Sequence, residues 1–157
     1  HFANVQVTNG SVAVDENTTA PSVEVGNTTT TSLSYNVTLE KPGDFYEFTV
    51  DVVNGGTINA KIAEGGITNT IKIGNADLTA AQAKLVDYTV TYADANSTAI
   101  AEGDKLSKNG ATISGIGDTR TIKVRVEYKT DLSNADINAV DEDMALTLTL
   151  GLNYVQD

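Results

Sequence analysis

The sequence predicts an all-β protein: an antiparallel β-sandwich of about seven to nine strands with one short helix near residues 78–86. Three observations predict it. Apolar residues recur with period two, most clearly in Leu33, Tyr35, Val37, Leu39 and in Met144, Leu146, Leu148, Leu150, Leu152, Tyr154. Clusters of Gly, Asn, Asp and Pro separate these runs. Helical spacing is confined to one convincing stretch. A closed barrel is the alternative that the same pattern allows.

The chain in order begins with HFANVQVTNGSVAV, residues 1–14. Ala3, Val5 and Val7 share one parity, and Val12 and Val14 the other, so a bulge or turn is expected at Gly10. Residues 15–22 have no large apolar side chain and read as a polar hinge. The expected organisation is an N-terminal arm at 1–14, the hinge, and a single domain over 23–157. Val23 and Val25 suggest a short strand. Leu33–Leu39 forms the next and leads through Lys41-Pro42-Gly43-Asp44 into Tyr46, Phe48, Val50 and Val52. These two strands are expected to be antiparallel neighbours. Asn54-Gly55-Gly56 tolerates positive φ, so Lys41–Ala60 reads as a tight hairpin ending in Ile58, Ala60 and Ile62.

Ile67, Ile71 and Ile73 suggest one more short strand. Leu78, Ala81 and Leu85 recur at helical spacing after Asp77, a capable N-cap. Val86–Tyr92 and Ile122–Tyr128 alternate again, with a polar, Gly-rich connection over 98–118 between them. Residues 129–143 form an acidic loop. The closing strand carries an unbroken apolar face, which marks it as central to the core.

The 157 residues suffice for one domain that buries roughly 70% of its unfolded surface. With no cysteine, packing and not disulfides must supply stability. Ten Lys and Arg against 21 Asp and Glu give a net charge of −11, which argues against nucleic acid and anionic membranes as partners. No apolar run approaches the roughly 20 residues of a membrane span. The chain opens at His1 and not at Met, so removal of a signal segment or of some other leader is expected.

Catalytic constellations are scarce. A copper brace needs a second imidazole beside His1, and this chain has one His. A zinc site usually needs several His or Cys ligands, and no H-E-x-x-H pattern occurs. A Ser-His-Asp triad would have to use His1 as its base. Gly115-Ile116-Gly117 lacks the helix and Lys of a phosphate loop and reads as a turn. Asp141-Glu142-Asp143, Asp15-Glu16 and Asp94 with Asn96 are the candidates for a glycosidase carboxylate pair or for calcium, with Asp141 and Asp143 the calcium candidates, although adjacent acids in a loop more commonly form a solvated cluster. Asn9, Asn17, Asn27, Asn36 and Asn96 begin N-x-Ser/Thr sequons, which matter only in a source that glycosylates asparagine. The expectation is therefore a protein that is not an enzyme and carries no cofactor.

The turn and the two runs beside it resemble a known pattern. Pro42, Gly43, Asp44, Phe48, Val50, Val52, Asn54, Gly56, Ile58 and Ala60, with the closing strand Leu146–Gln156, resemble the TasA/camelysin family of secreted biofilm-fibre proteins and related archaeal bundling pilins. The resemblance covers about 30 residues. It implies a jelly-roll-like sandwich that polymerises head to tail into extracellular filaments by donor-strand complementation, with bundling of neighbouring filaments. The metalloprotease activity ascribed to camelysin does not carry over, because no zinc motif stands here.

The residues suggest the same assembly. An incomplete sandwich exposes an edge that a partner's strand can close. Residues 1–14 have the form of such a donor. Phe2, Val5, Val7, Val12 and Val14 would each contribute roughly 1.5–3 kcal/mol on burial, before entropic costs. The alternative is that 1–14 folds back as a strand of its own subunit. A different class of function, a monomeric adhesin or carbohydrate-binding module, would present aromatics on a flat sheet face. Here Tyr and Phe mostly share parity with Val and Leu.

Overall fold

A computed structural model describes residues 1–10 and 31–157. The closing strand sets its frame. Met144, Leu146, Leu148, Leu150 and Leu152 are buried, and alternation along an extended chain puts all five on one face. In chain order the strands are β1 (Phe2–Gly10), β2 (Ser32–Leu39), β3 (Phe45–Val53), β4 (Ala60–Ile73), β5 (Ala76–Asp77), β6 (Val86–Tyr92), β7 (Lys105–Leu106), β8 (Thr119–Tyr128) and β9 (Met144–Gln156). Two short helices, α1 (Ala80–Ala83) and α2 (Asn134–Asn138), interrupt them. One sheet has the order β1-β3-β8-β6; the other runs β2-β9-β4-β5, with β7 also on β4. Every pairing is antiparallel. The sandwich is as expected; β1, β2, β3, β4 and β6 alternate between the two sheets, whereas β6 and β8 are neighbours in one. β9 is central, between β2 and β4.

That alternation corrects two expectations. β2 and β3 are not neighbours in one sheet, and Lys41–Ala60 is not a hairpin. β3 pairs with β1 and β8, whereas β2 and β4 both pair with β9. Both turns carry the chain across the core. The Asp44 carboxylate accepts the Glu40 and Lys41 N–H groups at 2.9 and 3.1 Å, and Gly43, at φ 94°, donates to the Tyr128 carbonyl. Asn54 closes the second crossing by accepting from Gly56 N–H at 3.0 Å and donating to the Ile58 carbonyl at 2.9 Å. The residues beside the turns face one another across the core: the Tyr35 ring meets Phe48 edge-on, with centroids 4.9 Å apart.

Smaller elements also differ from expectation. The run around Ile67 is not a separate strand but the continuation of β4 beyond a bulge. Asp77 ends β5, and Thr79 caps α1 through a capping box with Gln82. The acidic stretch holds α2, capped by Ser133 and Asp136 in the same way.

The core carries several buried phenols. Tyr92 donates to Asp104 Oδ2 at 2.7 Å while the Arg120 guanidinium lies 3.4 Å from its ring centre. The hydroxyls of Tyr35, Tyr46, Tyr88 and Tyr154 are buried and have no hydrogen-bond partner among the described residues. Tyr35 and Tyr88 are close enough for charge on one to disfavour ionisation of the other, without hydrogen-bonding geometry. Burial pushes Tyr88 and Tyr154 up to about 12 from an ordinary value of 10.0, and raises Tyr35 and Tyr92 also. A raised folded pKa favours the fold below the unfolded value and weakens it above. Stability should therefore fall as pH rises from 10 towards 12, together with the first phenolate absorbance of these residues. A phenolate titration complete near pH 10 with the fold intact would contradict this packing.

Candidate assembly site at the first strand

β1 has one neighbour, β3. Its register runs from Phe2 opposite Val52 to Gly10 opposite Tyr46. The strand is not regular. The chain advances three residues from Ala3 to Gln6 while β3 advances two, and two from Val7 to Asn9 while β3 advances one. Each extra residue is a bulge and turns the following side chains to the other face. Asn4 sits in the first at φ 52°, a conformation that Asn tolerates well. Its amide donates to Asp51 Oδ2 at 2.9 Å, and the other oxygen of that carboxylate accepts from Thr121 Oγ1 at 2.6 Å. Asp51 thus ties the arm to β8 through β3.

The apolar residues of the arm reach the core unequally. Phe2 is 1% exposed. Val5 is partly buried against the core. Val7, expected inside with Val5, is 46% exposed even though its register partner is the buried Phe48. Val12 and Val14, the hinge at 15–22 and the suggested strand at Val23–Val25 lie outside the described residues. At the start of the strand, His1 and Val53 exchange both backbone hydrogen bonds at 2.8 Å. Partial burial lowers the pKa of the His1 amine.

In a single copy, then, residues 2–10 form an edge strand of their own sheet, the fold-back arrangement. Phe2 is fully inserted, Val5 partly, and backbone pairing with the Asn4–Asp51 hydrogen bond supplies the rest of the hold. An edge strand of this kind is bound more weakly than β8 or β9, which have a neighbour on each side.

The other candidates stay apart. Asp141 and Asp143 are exposed just before the start of β9, and no group of three potential metal-ligating side chains occurs among the described residues. Asn36 is exposed on β2, where its Oδ1 accepts from Thr147 Oγ1 at 3.0 Å. Asn96 is exposed in a turn built on Asp94, whose carboxylate also accepts from Thr98 N–H. The backbone of Asn9 lies within β1; Asn17 and Asn27 are outside the described residues. No Tyr or Phe side chain is exposed, so the sheet faces lack an aromatic platform. A cavity of about 420 Å³ opens beside the start of β1, lined in part by His1, Val53, Asn54, Leu106 and Tyr154. No helix is long and apolar enough to cross a membrane among the described residues. Neither a family model, nor a curated protein, nor a solved structure matches the chain.

The sequence signalled Phe2 and pointed to a bulge or turn at Gly10, whereas the register shifts lie earlier, between Ala3 and Gln6 and between Val7 and Asn9, and Gly10 is paired with Tyr46. Asn4 is the residue that allows the first, yet an Asn in a short polar–apolar run is not by itself a bulge signal.

Proposed function

We propose that this chain is a structural subunit of an extracellular filament, in which β1 of one copy occupies the β3 edge of the next. The observation that carries the proposal is the form of β1: an edge strand anchored by one buried phenylalanine and joined to the body through residues 11–30. Fully extended, that connection spans up to about 70 Å. The sandwich itself is about 27 Å long, taking the eight residues of β2 as a measure. The same contacts are therefore reachable on a neighbour, and exchange replaces each contact with its equal. The resemblance to the TasA/camelysin proteins supports the same reading, as does a cysteine-free, Thr- and Asn-rich composition for the extracellular setting. Net charge of −11 keeps copies apart until specific strand pairing holds them.

The absence of native cysteine makes the test clean. Gln6 and Thr49 are register partners across β1 and β3. In the Gln6→Cys/Thr49→Cys variant, oxidation after concentration should give a ladder of covalent oligomers on a non-reducing denaturing gel. Electron microscopy of the same sample should show filaments. Cross-linked monomer alone at every concentration would refute strand exchange.

A further inference from the structure

The register assigns each connection to one end of the sandwich. At the amino end, where β1 begins, lie 54–59, 93–118 and the last residues of β9. Thr31 is there too, its carbonyl accepting from Leu152 N–H at 3.0 Å. At the opposite end lie Gly10 and the connections 40–44, 74–85 and 129–143.

β1 finishes at the opposite end, whereas β2 starts at the amino end. Within one copy, Gly10 and Thr31 therefore lie at opposite ends of the sandwich. In an exchanged pair residues 11–30 pass from Thr31 of one copy to Gly10 seated on the next. The shortest path puts the amino end of the first against the opposite end of the second. Such a contact is heterologous and open-ended, so it repeats along a filament.

The amino end has the surface this stacking requires. Four large apolar side chains are exposed among the described residues, and Ile58, Ile113 and Val155 are all there; the fourth is Val7. The segments that carry them are joined. Asn109 N–H donates to the Gly56 carbonyl at 2.9 Å, Lys108 N–H to Asn59 Oδ1 at 3.0 Å, and Asp157 N–H to the Asn59 carbonyl at 3.0 Å. Ile113 shares a cavity of about 100 Å³ with Asn59 and Asp157.

The loops are also held rigidly. Ser107, 3% exposed, donates to the Ile116 carbonyl at 2.6 Å and accepts from Ile113 N–H at 3.2 Å. Asp118 accepts from Gly110 N–H at 2.7 Å. Connections fastened this way lose little freedom on binding, yet they hold two isoleucines in water.

Resting on the strand exchange proposed above, we infer that the amino end is a second interface of the filament. Ile58 and Ile113 are its anchors, and its partner is the opposite end of the next copy of this chain. There Leu132, Ile137 and Val140, on and beside α2, are only partly buried by their own subunit. Strand exchange links the copies, and the stacked ends fix their spacing and rotation.

The test places Ile58→Asp/Ile113→Asp in the Gln6→Cys/Thr49→Cys background. Both isoleucines are exposed, so the melting temperature of the isolated subunit should be unchanged. The concentration needed for filaments should rise about a hundredfold, through lost burial and added like charge. Short cross-linked species should persist. Filaments of parental length at the parental concentration would overturn the interface and leave exchange standing. An absence of interchain cross-links in the parent would instead overturn exchange, and the interface with it. If the double variant melts early, Ile113→Ser alone gives the same comparison with a smaller expected shift.

Discussion

Phe2→Ala is expected to release the first strand before it affects the rest of the fold. Truncating a fully buried phenylalanine typically costs about 3–5 kcal/mol. Phe2 is buried among core residues of both sheets, and it is the one large side chain that β1 fully inserts. An edge strand, however, cannot cost the protein more than the free energy that holds it in place. Once β1 is displaced, β3 still pairs with β8, and the other sheet is untouched. The loss should therefore appear as local opening. Amide protection should fall by about a hundredfold or more, for a loss of about 3 kcal/mol, at the ladder amides of β1 and at those of β3 that face it. Amides of β8 and β9 should keep most of theirs. Filament formation should fail in parallel, because the arm docks through the same residue in either copy. Uniform loss of protection throughout the chain would mean that β1 is integral to the fold and not an exchangeable element. Unchanged protection would mean that Phe2 is not its anchor.

The faces of the strands were legible in the sequence, and their partners were not. Leu33 to Leu39 and Met144 to Leu152 are buried at every second position as their alternation predicts. Tyr46 to Val52 and Ile122 to Tyr128 are equally regular. Period-two patterning reports which side of a strand faces the core, and in a sandwich both sheets face the same core. Tyr35 and Phe48 would be inward-facing whether β2 and β3 lay side by side or opposite each other. The turns did not settle the matter, since Asn54-Gly55-Gly56 suits a hairpin and a crossing alike. α2 was missed for another reason. Its capping box, Ser133 with Asp136, is present in the sequence, but five residues without an apolar stripe give no helical period. The assembly site was half legible. An apolar residue at position 2 and a polar stretch behind the arm could be read directly. The exposure of Val7 did not follow from its alternation with Val5, since it lies opposite the buried Phe48 and is still exposed. The exposed Ile58 and Ile113 could not be recognised, because in sequence an exposed isoleucine looks like a buried one.

Gly66→Ala is expected to destabilise the protein by about 2–3 kcal/mol, well beyond Gly65→Ala beside it. β4 advances five residues from Ile62 to Ile67 while β9 moves two, from Tyr154 to Leu152. The surplus forms a wide bulge. Without it, residues five apart would point to opposite faces; with it, Ile62 is buried and Ile67 still packs against the core. Gly65 supplies the turn at φ 65°, and its N–H donates to Glu102 Oε1 at 2.8 Å. A methyl at Gly65 meets nothing within 4 Å, so the cost there is the left-handed backbone alone, about 1 kcal/mol. Gly66 is different. A Cβ there would lie 2.7 Å from the Asn153 carbonyl oxygen and 2.8 Å from that of Ala63. Both are backbone atoms of β4 and β9 at the bulge itself, so relief requires the strands to shift there. The disturbance should travel to the amino end, because Ile62 N–H donates to the Asp104 carbonyl and Gly103 N–H to the Ile62 carbonyl, both at 2.9 Å. Those bonds hold the 93–118 connection on the sheet. Chemical denaturation of the two variants should place Gly66→Ala clearly below Gly65→Ala, with amides of residues 103–107 among the first to lose protection. Equal midpoints would show that β9 does not approach Gly66 this closely.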